Sequence, residues 1–390
     1  MRTADVVVIG GGIQGLSNAY ELCRRGLKVA LVEQADFANG TTSRSDGDNF
    51  ICDAAPGFTT GFASAAVKLM AEFVKELGYD VDWMEKGMVM LAETEEELSV
   101  AKQIYAEKIA AGVGVRLMDS KDVHEDEPNT APDVAGALEF TAGGSLSPML
   151  LAFGMAERIK AMGGELLRFT KVTGFGFDEK GAVNRVVTDR GDILTERVVL
   201  AAGIWSTGIA VLARLSIPVT TMKGDLLVVE PGQRITRRKT MEIGYALVRN
   251  ENDTVERTVT PFMRQHGVGL LIEPTGSHNA LVGFSKYPAD SAVSSNLVTR
   301  AIAKRAIRFF PIMCGMNVIR CYAGLRPWTP DHEAIVSKTR IPGFYLCTGH
   351  CGNGITNGPL SAKCLAQLMF DEPADFDMAK LSVERFSTQK

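Results

Sequence analysis

The chain has no long apolar run, no block of like charge and no paired cysteine pattern, and each absence removes a class of protein. No stretch of 18 apolar residues occurs in the 390, so a membrane-spanning helix is not expected. Basic residues number 42 and acidic ones 46, and no Lys/Arg cluster is long enough to track a phosphate backbone, which argues against nucleic acid as a partner. The richest basic stretch, Arg234, Arg237, Arg238 and Lys239, reads as a solvated loop. Seven cysteines at irregular spacing do not form a disulfide framework and fit a reducing, cytoplasmic setting. Cys347-Thr-Gly-His-Cys351 lacks a second cysteine pair to complete a zinc or iron–sulfur ligand set, so no metal is expected. Val6 to Ile9 already reads as a strand, which leaves no room for a secretory leader ahead of the fold.

What is present describes an ordinary folded chain, 46% hydrophobic and 23% charged, long enough for two structural regions. Asp5-Val-Val-Val-Ile9 is a β-branched run suited to a buried parallel strand, and it opens into Gly10-Gly-Gly-Ile-Gln-Gly15. Leu16, Ala19, Tyr20, Leu22 and Cys23 then recur at helical spacing, Gly26 stops the helix, and Lys28 to Val32 supplies the next strand, completing a βαβ unit. Helices are predicted over Ser64–Leu77, Glu95–Ala111, Ser147–Met162 and Ser295–Phe310, and from Pro359 to about Phe370. Strands are predicted over Leu166–Phe177, Ala182–Asp189, Ile193–Leu200, Asp225–Val229, Glu256–Met263, Gly269–Glu273, Ala280–Phe284 and Phe344–Cys347. Nucleotide-type motifs at both ends imply that the two regions interleave along the chain.

Gly10, Gly12 and Gly15 satisfy G-x-G-x-x-G between a strand and a helix. One glycine turns the chain, one lets the backbone approach a pyrophosphate, and one lets helix pack on strand, while the helix N-terminus offers free N–H groups to the anion. Glu33 ends the next strand, where an acid accepts from ribose hydroxyls and repels a 2′-phosphate. This fingerprint serves NAD and FAD alike. Thr41, Thr42, Ser43, Arg44, Ser45, Asp46 and Gly47 form a small polar segment suited to wrapping a ring edge. Ala201-Ala202-Gly203 lets the backbone crowd a cofactor. Gly349, Gly352, Gly354 and Gly358 surround a helix start that would aim positive potential into a cleft.

Four segments together resemble the D-amino acid oxidase and glycine/sarcosine oxidase superfamily of flavoproteins: Gly10 to Glu33, Val198-Val-Leu-Ala-Ala-Gly-Ile-Trp-Ser206, Arg320-Cys-Tyr-Ala-Gly-Leu-Arg-Pro-Trp-Thr-Pro-Asp331 and Gly349-His-Cys-Gly-Asn-Gly-Ile355. They occur in family order over nearly the whole chain, nearest to catalytic subunits of opine, proline or D-amino acid dehydrogenases.

The resemblance implies an α/β (α+β overall) fold. A Rossmann-like FAD-binding domain of the glutathione-reductase type, residues 1–80, 145–222 and 325–390, is interleaved with a mixed or antiparallel-sheet substrate domain, residues 81–144 and 223–324. It implies noncovalent FAD, held by the residues above with Ile13, Gln14, Gln34, Val172, Trp205, Arg326, His350, Cys351, Gly352, Asn353, Gly354, Ile355 and Thr356. Cys321 lies where some sarcosine oxidases attach flavin covalently. Asp46 and Gly352 depart from the family, which more often carries a small residue and, in glycine oxidases, a bulky basic one.

The expected reaction is hydride removal from the carbon beside the nitrogen of a small amino or imino acid. Arg326 is the carboxylate clamp, and Tyr245 and His350 are further catalytic candidates. Tyr287 and His266 are placed in the roof of the cleft. A structural ion pair with Asp331 is the alternative for Arg326. The favoured partner is a subunit or quinone-linked chain that takes electrons. A nicotinamide-dependent dehydrogenase and a non-catalytic flavin subunit are the rival readings.

Overall fold

A computed structural model describes residues 2–52, 54–244 and 258–387. Five of its six central strands are parallel, in the order Glu165–Leu167, Val29–Val32, Val6–Ile9, Val198–Leu200 and Phe344–Thr348, with Ile335–Lys338 antiparallel at one edge. Val6, Val7, Val8, Val29, Leu31, Val199 and Leu346 are all essentially inaccessible, as continuous apolar strands covered on both faces should be. Helix Ile13–Arg24 packs between this sheet and the helices Pro148–Ala161 and Gly354–Met369. Its approach to the last is close enough that a Cβ on Gly358 would lie 3.1 Å from Ser17 Oγ.

A second, nine-stranded sheet is largely antiparallel and carries its own cores on its two faces. Its long strands Thr220–Glu230 and Asn317–Trp328 pair along almost their whole length. Among the described residues, its one parallel pair joins Lys239–Glu242 to Met88–Ala92. The fold is thus the expected combination of a Rossmann-like α/β sheet with a mixed sheet. Among the described residues, no helix is long and apolar enough to cross a membrane.

Helix starts follow their caps. Thr94 accepts from Glu97 N, Ser147 from Leu150 N and Ser295 from Val298 N, which satisfies one otherwise unpaired N–H each. Several expectations are corrected. Leu166–Phe177 is two strands in different sheets, because Phe169 adopts a left-handed conformation (φ 53°) and breaks the run. Ile193–Leu200 likewise divides into Ile193–Leu194 and Val198–Leu200. Within Glu256–Met263 the described part contains no strand: Thr260 caps a short helix, Pro261–Gln265, with proline at its first position. The last helix begins at Gly354 rather than Pro359, which sits inside it.

The basic stretch is solvated only in part: Arg234 and Arg237 are exposed, whereas Arg238 and Lys239 are not. Lys239 is fully buried against Asp46 and Asp48, and Arg238 pairs with Asp126 and Glu139. Acids from distant segments neutralise what reads locally as an exposed cluster.

Candidate active site

Both glycine-rich loops open into one cavity of about 560 Å³. They are also joined directly, since Gln14 Nε2 donates to the Gly354 carbonyl at 2.8 Å. At the first loop, Gly10 holds φ 114°, a conformation costly for any residue with a Cβ. A Cβ on Gly15 would collide with the Gly10 carbonyl, whose carbon would lie 2.8 Å away. Gly12, at the start of the helix behind, offers no side-chain cap, and the first helical turn holds no acid. Its Ile13 N–H donates to Thr42 Oγ1 at 3.0 Å. Glu33 accepts from the N–H groups of Gly11 at 2.6 Å and Ala35 at 2.7 Å, which fixes its carboxylate at the cavity wall.

At the other end, helix Gly354–Met369 also starts without a side-chain cap or an acid in its first turn, leaving its positive end toward the cavity. Thr356 Oγ1 donates to the Asp48 carbonyl at 2.8 Å and so ties that helix to the polar segment. Arg326 reaches in from strand Asn317–Trp328, and its guanidinium lies against Gly224 of the paired strand. There a Cβ would come within 2.6 Å of Nη2 and 2.7 Å of Cζ. Nη1 donates to the Ser285 carbonyl at 3.3 Å, and no carboxylate among the described residues forms an ion pair with it. The alternative partner, Asp331, is taken by Arg385 at 2.6 Å. Ser285 is itself oriented by Asp225, which also accepts from Tyr287 OH at 3.0 Å.

Beside Arg326, Asp46 and Asp48 share the buried Lys239 ammonium. Burial opposes the Asp46 charge, but Lys239 and Arg326 hold its carboxyl below the usual range. Burial and the Asp46 charge push Asp48 well above it. His350 is 4% exposed. One ring nitrogen meets Ser361 Oγ at 3.0 Å, while the other is buried without a partner among the described residues. Burial lowers its pKa to about 3, so the ring is neutral.

The cavity brings together Gly10, Gly12, Ile13, Gln14, Glu33, Gln34, Thr41, Thr42, Arg44, Ser45, Asp46, Val172, Ala201, Ala202, Gly203, Trp205, Arg326 and the whole run His350–Thr356. Gly15, Ser43 and Gly47 stand outside it. Gly15 abuts Gly10, Ser43 Oγ donates to the Gly40 carbonyl, and Gly47 N–H donates to Ser45 Oγ. His266 packs on Phe262 and Tyr287 away from the lining. Tyr245 lies outside the described residues.

Sequence reasoning missed Asp48, Phe50, Gly224, Leu226, Met241, Leu271 and Phe284, which line the cavity, and Lys239, which anchors its acids. The strands predicted over Asp225–Val229, Gly269–Glu273 and Ala280–Phe284 contain Leu226, Leu271 and Phe284, but an extended run does not say which cavity it lines.

These residues fit a dinucleotide. The glycine cradle and the start of the first helix suit a pyrophosphate, Glu33 a ribose, and the uncapped start of the last helix an electron-rich ring edge. The comparisons with known proteins agree. Glycine oxidase of Geobacillus kaustophilus is 27% identical over 98% of this chain and 97% of its own. Sarcosine oxidase subunit beta of Rhodobacter capsulatus is 28% identical over 94% of this chain and 84% of its own. The crystal structure of L-proline dehydrogenase from P. horikoshii shares the fold, with a TM-score of 0.87, 21% identity and coverage of 99% and 98%. The family profile described as FAD dependent oxidoreductase matches residues 5–368; the chain belongs to that family, and its cofactor is FAD.

Proposed function

We propose that this enzyme oxidises a small amino or imino acid at the carbon beside its nitrogen: the neutral amine loses a hydride from that carbon, and the iminium so formed gives up its N–H proton to water to leave an imine. FAD, when bound, supplies the acceptor for the hydride that leaves that carbon. Arg326 takes the substrate carboxylate: a guanidinium inside a cavity, with no carboxylate among the described residues in salt-bridge contact with it, is the observation that carries this reading. Gly224 gives the guanidinium its place, and Ser285 fixes its rotation. Leu226, Met241, Leu271 and Phe284 wall the same cavity with apolar surface, which displaces water from around the reacting carbon. Neutral His350 supplies no proton at physiological pH.

We assign 1–80, 145–222 and 325–390 to the cofactor domain and 81–144 and 223–324 to the substrate domain. All six strands of the Rossmann-like sheet fall in the first set, which supports the division. Noncovalent attachment is supported by Cys321, which is exposed and does not line the cavity. A cytoplasmic setting is supported by seven cysteines free of disulfides. We read the enzyme as a dehydrogenase, and a partner subunit as its electron acceptor is supported by the likeness to a protein named as a subunit.

Anaerobic addition of D-amino acids, sarcosine, proline enantiomers and opines to the purified yellow protein tests the reading. At least one should bleach the flavin, and bleaching by none would overturn it. Peroxide released in proportion to turnover in air would replace dehydrogenase by oxidase.

A further inference from the structure

We infer that Asp46 is the group that receives the substrate's nitrogen, so that Arg326 and Asp46 together read a carboxylate and an N–H-bearing nitrogen carried on the same carbon. The inference rests on the reading of Arg326 as the carboxylate clamp and deepens it. Both side chains line the same cavity, and the Arg326 charge adds to that of Lys239 in holding the Asp46 carboxyl below the usual range against its burial. Lys239 reaches from strand Lys239–Glu242, with no exposure of its own, and pairs with Asp46 Oδ2 at 3.3 Å. That contact pins the carboxylate while 23% of the Asp46 side chain still faces open space.

A ligand filling the cavity strips water from that remaining edge. A buried carboxylate left without a donor is costly, and one that gains an N–H or a cation is not. Asp48 is less suited to the role, because its charge is suppressed and its Oδ1 is buried. With Lys239 it acts as a positioning residue. The selected class is therefore amino and imino acids, against hydroxy acids and ethers of the same shape.

The experiment compares isosteric pairs on the holoenzyme: sarcosine with methoxyacetate, and each proline enantiomer with the matching tetrahydrofuran-2-carboxylate. Dissociation constants come from perturbation of the flavin spectrum or, where the ligand bleaches, from saturation of the bleaching rate. In the parent protein the nitrogen member of at least one pair should bind tenfold or more tightly. Asp46→Asn, and Asp46→Ser if the first fails to retain FAD, should bring that ratio close to one without weakening the oxygen member. Asp46→Glu should restore part of it.

Equal binding within every pair in the parent, an unchanged ratio in both variants, or no binding of any nitrogen ligand overturns the inference. Discrimination without bleaching leaves it standing and removes the redox reading instead. Bleaching without discrimination does the reverse.

Discussion

Gly224→Ala is the sharpest probe of the substrate end, because it alters Arg326 without touching it. Gly224 lies in the long strand Thr220–Glu230 opposite Gly324, and its φ is not among the positive values, so alanine suits the backbone there. The added methyl would come within 2.6 Å of Nη2 and 2.7 Å of Cζ, and relief of that contact requires the guanidinium to move by about 1 Å, a displacement that can cost on the order of a hundredfold in a positioned site. If one of two charge-assisted bonds to the carboxylate is lost, about 2 kcal/mol goes with it, roughly 30-fold in affinity.

The assay is the substrate dependence of anaerobic flavin bleaching, with FAD content and Tm measured alongside. Gly61→Ala, where a Cβ meets nothing within 4 Å in helix Phe58–Leu77, serves as the control and should leave the constants unchanged. A Gly224→Ala protein that keeps FAD and binds substrate within threefold of the parent would refute the placement of the carboxylate on Arg326.

Gly15→Ala should yield a folded but colourless protein, since neither Gly15 nor the Gly10 carbonyl can yield without reshaping the loop; visible flavin absorbance equal to the parent's would contradict this. Glu97, fully buried, has its pKa raised from 4.5 to about 7 by burial. The folded state therefore binds this proton more tightly than the unfolded state does. The associated stability is present below pH 4.5 and is lost as pH rises through 7, at most about 3 kcal/mol at 1.36 kcal/mol per pH unit. Glu97→Gln should flatten that part of the Tm–pH curve and gain stability relative to the parent at pH 8; an unchanged slope in a urea titration across this range would refute it.

Legibility divided along the reach of the interactions. The βαβ unit was readable because its signals are local: β-branched runs for buried strands, glycines at a fixed spacing, an acid at the end of the second strand. Helices capped by Thr94, Ser147 and Ser295 were readable for the same reason. Strands that change sheets midway, at Phe169 and after Leu194, were not, because periodicity reports an extended backbone and not its neighbours.

The amino-acid order alone determined that a dinucleotide fold forms and which loops serve it, since glycine geometry and strand–helix alternation are properties of a few consecutive residues. Only the tertiary structure decided the electrostatics of the site. Lys239 meets Asp46 and Asp48 across about 190 positions of chain, and Asp331, five residues beyond Arg326, pairs with Arg385 instead. Charge pairing in a buried cavity depends on distances in space, and those exist only once both sheets have packed.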